Sequence, residues 1–130
     1  MADVTAIILT KDEEKNLPDC LNSIRSFARR AVVIDSGSTD RTCEIAREMG
    51  AEVLVHPFEN YARQFNWGVD AANIQTEWIL RLDADERFPD ALNRKLESVL
   101  RDPANADANG IMLESDFYFL GRKIRFGGPK

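Results

Sequence analysis

Apolar residues fall along this chain in two alternating patterns. Short runs rich in β-branched or aromatic residues occupy residues 4–9 (VTAIIL), 31–35 (AVVID), 52–55 (EVLV) and 78–82 (WILRL), and each predicts a strand. Between them the apolar positions recur with helical spacing. Leu17, Cys20, Leu21, Ile24 and Ala28 form one stripe, on a helix opened by Asn16. Thr42, Ile45, Ala46 and Met49 form a second, with Ser38 or Thr39 as N-cap and Gly50 as the stop. Tyr61, Phe65, Val69 and Ala72 form a third. Leu92, Leu96, Val99 and Leu100 form a fourth, begun by Pro89 and ended before Pro103. Strands alternating with helices predict an α/β fold of nucleotide-binding type, its mostly parallel sheet flanked by helices on both faces.

The tail breaks the rhythm. Residues 102–109 (DPANADAN) are turn-rich, residues 111–120 suit one more strand at a sheet edge, and residues 121–130 carry Gly-Gly-Pro with no capping element. The expectation is a single domain over residues 1–130, cut short as the N-terminal part of a longer protein.

Composition narrows the field of functions. The 130 residues are 44% hydrophobic and 30% charged, as in globular domains. A net charge of −5 offers no basic field for a nucleic-acid backbone, so no nucleic-acid partner is expected. No run approaches the roughly 20 apolar residues that span a bilayer, and no signal peptide is expected in residues 1–4, which lack a basic leader and a long apolar core. Cys20 and Cys43 lie in apolar, helical contexts that suit small core residues, and Trp67 and Trp78 suit packing. With one histidine, His56, a multi-histidine metal site is excluded. A cytoplasmic address is expected.

In parallel α/β sheets, ligands bind beyond the carboxyl ends of the strands. There the sequence places Thr10 to Glu14 after the first strand, Asp35 to Asp40 after the second, and Asp83, Asp85 and Glu86 after the fourth. Asp83 and Asp85 stand at i and i+2, so on extended backbone both carboxylates point the same way. At an effective dielectric near 20, two charges about 4 Å apart repel by roughly 4 kcal/mol, so such a pair calls for a cation. Mg²⁺ or Mn²⁺ that also binds a diphosphate meets that need; complementing the dipole of a following helix is the plainer alternative. Gly37 permits a tight turn with positive φ after Asp35. Asp35 could accept from a base or ribose, while Ser38, Thr39 and Asp40 suit helix capping. Neither a Walker loop nor a dinucleotide fingerprint is present. Thr10 and Glu13 could border a base or ribose pocket, or only face water. On the third helix, Tyr61 and Phe65 read as core, whereas Arg63 and Gln64 lie off the stripe, within reach of phosphate or sugar or of solvent.

The segments I-I-L-T-K-D-E-E, V-V-I-D-S-G-S-T-D, A-R-Q-F-N-W-G and W-I-L-R-L-D-A-D-E, in that order, resemble glycosyltransferase family 2, the inverting enzymes of the Rossmann-like GT-A fold. Residues 117–128 (FYFLGRKIRFGG) are similar to its lipopolysaccharide-core glucosyltransferase branch. The resemblance implies a nucleotide-sugar donor, a UDP-sugar foremost, and a glycan or lipid-linked acceptor reached at the inner face of a membrane. It implies donor binding by Thr10, Glu13, Asp35, Arg63, Gln64 and Asp83, with Asp83 and Asp85 holding Mg²⁺ or Mn²⁺. The acceptor-activating carboxylate is expected beyond residue 130, and neither Glu114 nor Asp116 has a family motif around it. Lys11 stands where many members carry an aromatic residue. Two other readings of the acids compete: a D-x-D phosphotransferase and a receiver-like Mg²⁺-binding signalling module. The first lacks an aspartate after the first strand, where Thr10 and Lys11 stand; stable phosphorylation of Asp35 or Asp83 would mark the second.

Overall fold

The computed structural model describes residues 2–88, together with 94, 98, 110–112 and 119–122. Four parallel strands form the centre: β1 (Ala2–Thr10), β2 (Ala28–Asp35), β3 (Glu52–Val55) and β4 (Trp78–Asp83). Three helices connect them: α1 (Leu17–Ile24), α2 (Thr42–Glu48) and α3 (Tyr61–Ala71). Two short strands, β5 (Gly110–Met112) and β6 (Phe119–Arg122), extend the sheet antiparallel beyond β4. The strand order is β3-β2-β1-β4-β6-β5.

The period-two alternation of strand side chains divides the core into two layers. On one face Val4, Ala6 and Ile8 of β1, Val33 of β2 and Leu80 and Leu82 of β4 pack under Leu17, Cys20, Leu21 and Ile24 of α1 and Ala46 of α2. On the other, Ile7, Leu9, Val32, Ile34 and Ile79 pack under Phe65 and Val69 of α3. A sheet covered on both faces needs no polar edge along its central strands, which is why these runs are almost uniformly apolar. Gly68 lets α3 lie close: a Cβ there would sit 2.7 Å from Ile34 Cγ1.

Several expectations shift by a residue or a role. Ala28 opens β2 rather than closing the first helical stripe, because α1 ends at Ile24. Asn16 precedes α1 without a side-chain cap bond; its amide donates instead to Glu13 Oε1 at 3.0 Å. Neither Ser38 nor Thr39 caps α2. Arg41 holds the N-cap position without a side-chain cap bond; Asp40, one residue before it, accepts from Thr42 N–H at 2.9 Å, while Ser38 and Thr39 turn toward Asp35 and Asp12. Tyr61, expected in the core, is 65% exposed, and Gln64, expected off the buried stripe, is 1% exposed. As the first residue of α3, Tyr61 projects past the sheet's end, whereas Gln64 turns inward. Where a single strand was expected over 111–120, the described residues hold β5 and β6, paired antiparallel. Of the helix expected from Pro89, residues 94 and 98 are described and are helical; its apolar stripe, Leu92, Leu96, Val99 and Leu100, lies outside the described residues.

Candidate active site

The order β3-β2-β1-β4 carries a consequence for ligand binding. The chain steps outward from β1 to β2 to β3 and then returns to the far side of β1, so the connections diverge between β1 and β4. That divergence opens a crevice at the carboxyl ends of the strands. A cavity of about 470 Å³ lies there. Leu9, Thr10, Lys11 and Glu13 line it from β1, Ile34 and Ser36 from β2, and Asp83, Ala84 and Asp85 from β4. Phe58, Tyr61 and Gln64 close the side toward β3 and α3.

Two loops are tied together to form the rim. Thr10 and Asp35 are register partners in the parallel ladder, and Thr10 Oγ1 donates to Asp35 Oδ1 at 2.7 Å. The same carboxylate accepts from Gly37 N–H at 2.9 Å, Ser38 N–H at 2.7 Å and Ser38 Oγ at 2.6 Å. Four donors on one carboxylate outweigh the cost of its burial and hold its pKa below the ordinary aspartate value. Across the loops, Asp12 N–H donates to Ser38 Oγ, Glu13 N–H to Thr42 Oγ1 and Glu14 N–H to Asp40 Oδ2. Lys11 Nζ adds a bond to Gly37 O at 2.7 Å, and Gly37 itself adopts φ +100°, which its missing Cβ allows.

The acids at the end of β4 behave differently. Burial raises the pKa of Asp83; Arg81 opposes this, and the nearby charges of Asp85 and Glu13 add to it. Burial likewise pushes Glu86 up to about 7, opposed by its hydrogen bond from Asp83 N–H at 2.6 Å and reinforced by Asp83 and Asp85. Glu86 Oε2 is buried without a hydrogen-bond partner. The site thus concentrates negative charge that its own side chains leave under-compensated. Among the described residues no cluster of three or more histidine, cysteine or acidic side chains is placed to cage a metal. A pair of carboxylates facing a cavity nevertheless suits Mg²⁺ or Mn²⁺, which take one or two carboxylates and fill the remaining positions with phosphate oxygens and water. The donor set present fits that ion class.

The structure therefore brings Thr10, Glu13, Gln64, Asp83 and Asp85 to one cavity. Asp35 lies beneath the rim, with Ile34 and Ser36 rather than its own side chain lining the space. Arg63 stands outside, paired with Glu59 at 3.1 Å on the exposed side of α3. Gln64 spends its amide locally, Nε2 donating to His56 O at 3.0 Å and Oε1 meeting His56 Nδ1 at 2.9 Å. His56 in turn stacks on Trp67 with ring centroids 4.2 Å apart. Sequence reasoning missed this lock and the aromatic wall of Phe58 and Tyr61. Asn60, which caps α3 through Arg63 N–H at 2.9 Å, was the available signal that Tyr61 starts a helix at the sheet's open end.

Comparisons with known proteins bear on this cavity. A family model described as glycosyl transferase family 2 matches residues 5–125. An uncharacterised glycosyltransferase of Rickettsia bellii is 34% identical over 96 residues, which cover 74% of this chain and 32% of the relative. The 4,4'-diaponeurosporenoate glycosyltransferase of Staphylococcus haemolyticus is 30% identical over 116 residues, 84% of this chain and 30% of its own length. The chain thus spans about a third of the length of these relatives. Among solved structures, S. aureus TarS 1–349 aligns with a TM-score of 0.64 at 16% identity, over 95% of this chain and 48% of that one. Glucosyl-3-phosphoglycerate synthase from Mycobacterium tuberculosis, in complex with Mn²⁺, UDP and glucosyl-3-phosphoglycerate, aligns with a TM-score of 0.64 at 17% identity, over 92% of this chain and 56% of that one. At these identities the structural likeness speaks for the fold, an α/β sheet of GT-A type.

Proposed function

This chain belongs to glycosyl transferase family 2, and from that membership we propose that it is the donor-binding half of an inverting, metal-dependent glycosyltransferase. The donor is a nucleotide-diphosphate sugar, a UDP-sugar first among them. The acceptor is a glycan or a lipid-linked acceptor, with lipopolysaccharide-core or cell-envelope glycan synthesis suggested by residues 117–128. A lipid-linked acceptor would be met at the cytoplasmic, inner face of a membrane, the address that goes with this proposal. The phosphotransferase and signalling alternatives do not share the family match.

One observation carries the reading: the paired acids ending β4 open into a cavity at the topological divergence of the sheet. Asp83 and Asp85 would hold Mg²⁺ or Mn²⁺, consistent with the Mn²⁺–UDP complex of the mycobacterial synthase. When bound, that ion supplies Lewis-acid stabilisation of charge on a departing nucleoside diphosphate. The chain's own residues do the positioning. Asp83 ends β4 and Asp85 stands in the turn that follows, so the turn and not extended backbone presents both acids to the cavity; Glu86 closes that turn through its N–H on Asp83 O and its carboxylate on Asp83 N–H, and the Asp35 network sets the opposite wall. Lys11 places a cation at the rim, where it suits phosphate oxygens. None of the residues lining this cavity is assigned as the base that deprotonates the acceptor. General-base help is worth roughly 10²–10⁴-fold, so these residues alone bind donor and transfer slowly.

Calorimetric titration with UDP, with and without Mn²⁺, tests the proposal. Asp85→Ala is expected to abolish the Mn²⁺-dependent part of UDP binding while leaving the exposed turn folded. Unchanged UDP affinity in Asp85→Ala with Mn²⁺ present refutes the metal assignment.

A further inference from the structure

β4 carries a charge where an interior strand should carry none. From Trp78 to Leu82 it is apolar and buried except at Arg81, which is half-buried. In the ladder Arg81 stands opposite Ile7 of β1. Alternation puts it with Ile79 and Asp83 on the α3 side of the sheet, Leu80 and Leu82 being on the other. A central strand of a parallel sheet is uniformly apolar as a rule, so a cation there needs a partner or a purpose.

Among the described residues Arg81 has no such partner. Its Nε is buried without a hydrogen bond, and it belongs to none of the ion pairs. Arg30, half-buried on β2, shows a satisfied arginine in the same sheet: it bonds both carboxylate oxygens of Glu52 and the carbonyls of Ala72 and Asn73.

What Arg81 meets instead is charge at a distance. Asp83 stands two residues on, about 7 Å along the strand, and Asp85 and Glu86 follow in the turn. Burial raises the pKa of Asp83 and of Glu86, and the charge of Arg81 draws each back. Arg81 does not itself line the cavity. It is a fixed positive charge behind the carboxylates. Such a charge acts on two ligands with opposite sign: it repels a bare divalent ion and attracts a diphosphate or an anionic metal–diphosphate complex.

We propose, on the reading of Asp83 and Asp85 as the metal-holding pair, that Arg81 is a positioning residue acting through the field at those carboxylates. It weakens their hold on a bare divalent ion, so that Mg²⁺ or Mn²⁺ is retained together with the diphosphate rather than before it. The coupling of ion to nucleotide is built into β4, and by linkage each ligand tightens the other by the same factor.

The test is Mn²⁺ binding by the full 130-residue chain, alone and with saturating UDP, read from the electron paramagnetic resonance signal of free Mn²⁺. Arg81→Gln and Arg81→Met are expected to bind Mn²⁺ alone more tightly than the parent, by roughly 4- to 20-fold. That is the effect of a unit charge on a divalent ion about 10 Å away at an effective dielectric between about 40 and 80. Their gain is expected to be smaller with UDP present, so the factor by which UDP tightens Mn²⁺ falls. Arg81→Lys, which keeps the charge, is expected to bind like the parent. The direction separates charge from structure, because a disturbed site binds the ion less well, not better. Arg81→Met keeps the test decisive if Arg81→Gln does not fold, since an apolar side chain of similar length suits the face shared with Ile7 and Ile79. Unchanged or weaker Mn²⁺ binding in the folded neutral variants overturns the inference, and so does Arg81→Lys behaving like them. If Mn²⁺ binding is lost in Asp85→Ala, the metal reading stands even when the Arg81 variants fail. If the parent binds no Mn²⁺ with or without UDP, that reading fails and this inference fails with it.

Discussion

Replacing Asp35 by alanine separates two roles that the residue could play. Its carboxylate is 1% exposed and accepts from Thr10 Oγ1, Gly37 N–H, Ser38 N–H and Ser38 Oγ. Hydrogen bonds to a charged group are worth about 1.5–3 kcal/mol each, so a simple sum would reach roughly 6–12 kcal/mol. That sum is too large, because it rivals the entire stability of a typical domain, about 5–15 kcal/mol. Gly37 is exposed and Ser38 half-buried, so their donors regain water when the carboxylate goes, and the cost of burying the charge disappears as well. The Thr10 hydroxyl, 5% exposed, has no such recourse and is left stranded at a cost of about 1–3 kcal/mol. Asp35→Ala is therefore expected to destabilise the fold by about 2–4 kcal/mol, or a fall in Tm on the order of 10 °C. Urea unfolding at pH 7 measures it. A Thr10→Val partner substitution, by removing the stranded hydroxyl, should recover part of the loss and make the pair non-additive. If Asp35→Ala unfolds within about 0.5 kcal/mol of the parent yet loses UDP binding, the carboxylate serves ligand and not the loops, and the reasoning is wrong.

Two further outcomes follow from the same interior. Gly68→Ala gains helix propensity worth about 1 kcal/mol but drives a Cβ to 2.7 Å from fully buried Ile34, and overpacking costs about 1–3 kcal/mol. A net loss is expected in urea unfolding; equal or higher stability would mean that Ile34 yields. For pH, Glu86 has a folded pKa raised to about 7 from 4.5, so its contribution to stability is full below 4.5 and lost as pH rises toward 7. Asp35, with a lowered value, contributes above 3.8 and loses that contribution as pH falls below it. Metal-free protein is thus expected to unfold at higher urea at pH 5 than at pH 7, and Glu86→Gln should flatten that slope; an unchanged slope in the variant would show that Glu86 is not its source.

Hydrophobic periodicity alone was enough to order β1, α1, β2, α2, β3, α3 and β4, because each period is a property of local backbone geometry. Period-two geometry sends Ile8 and Ile7 of β1 to opposite faces, and the tertiary structure covers each with the helices that chain order supplies. The acids were legible because their i, i+2 spacing is local, although Asp83 ends β4 and Asp85 falls in the turn after it rather than on extended backbone. What no periodicity could reveal is which polar atoms are already engaged. Thr10 meets Asp35 across 25 residues, Lys11 meets Gly37 across 26, and Cys20 Sγ approaches Asp83 O across 63. Those partners are set by strand register and loop closure, so only the folded chain could move Asp35 under the rim and turn Arg63 to solvent. It likewise drew Gln64 inward and left Tyr61 exposed at the cavity that the acids also line. Residue types and their spacing determined the layers and the candidate chemistry; long-range packing decided which of those groups still face the cavity, because a hydrogen bond or a contact made across the fold is invisible to its neighbours in sequence.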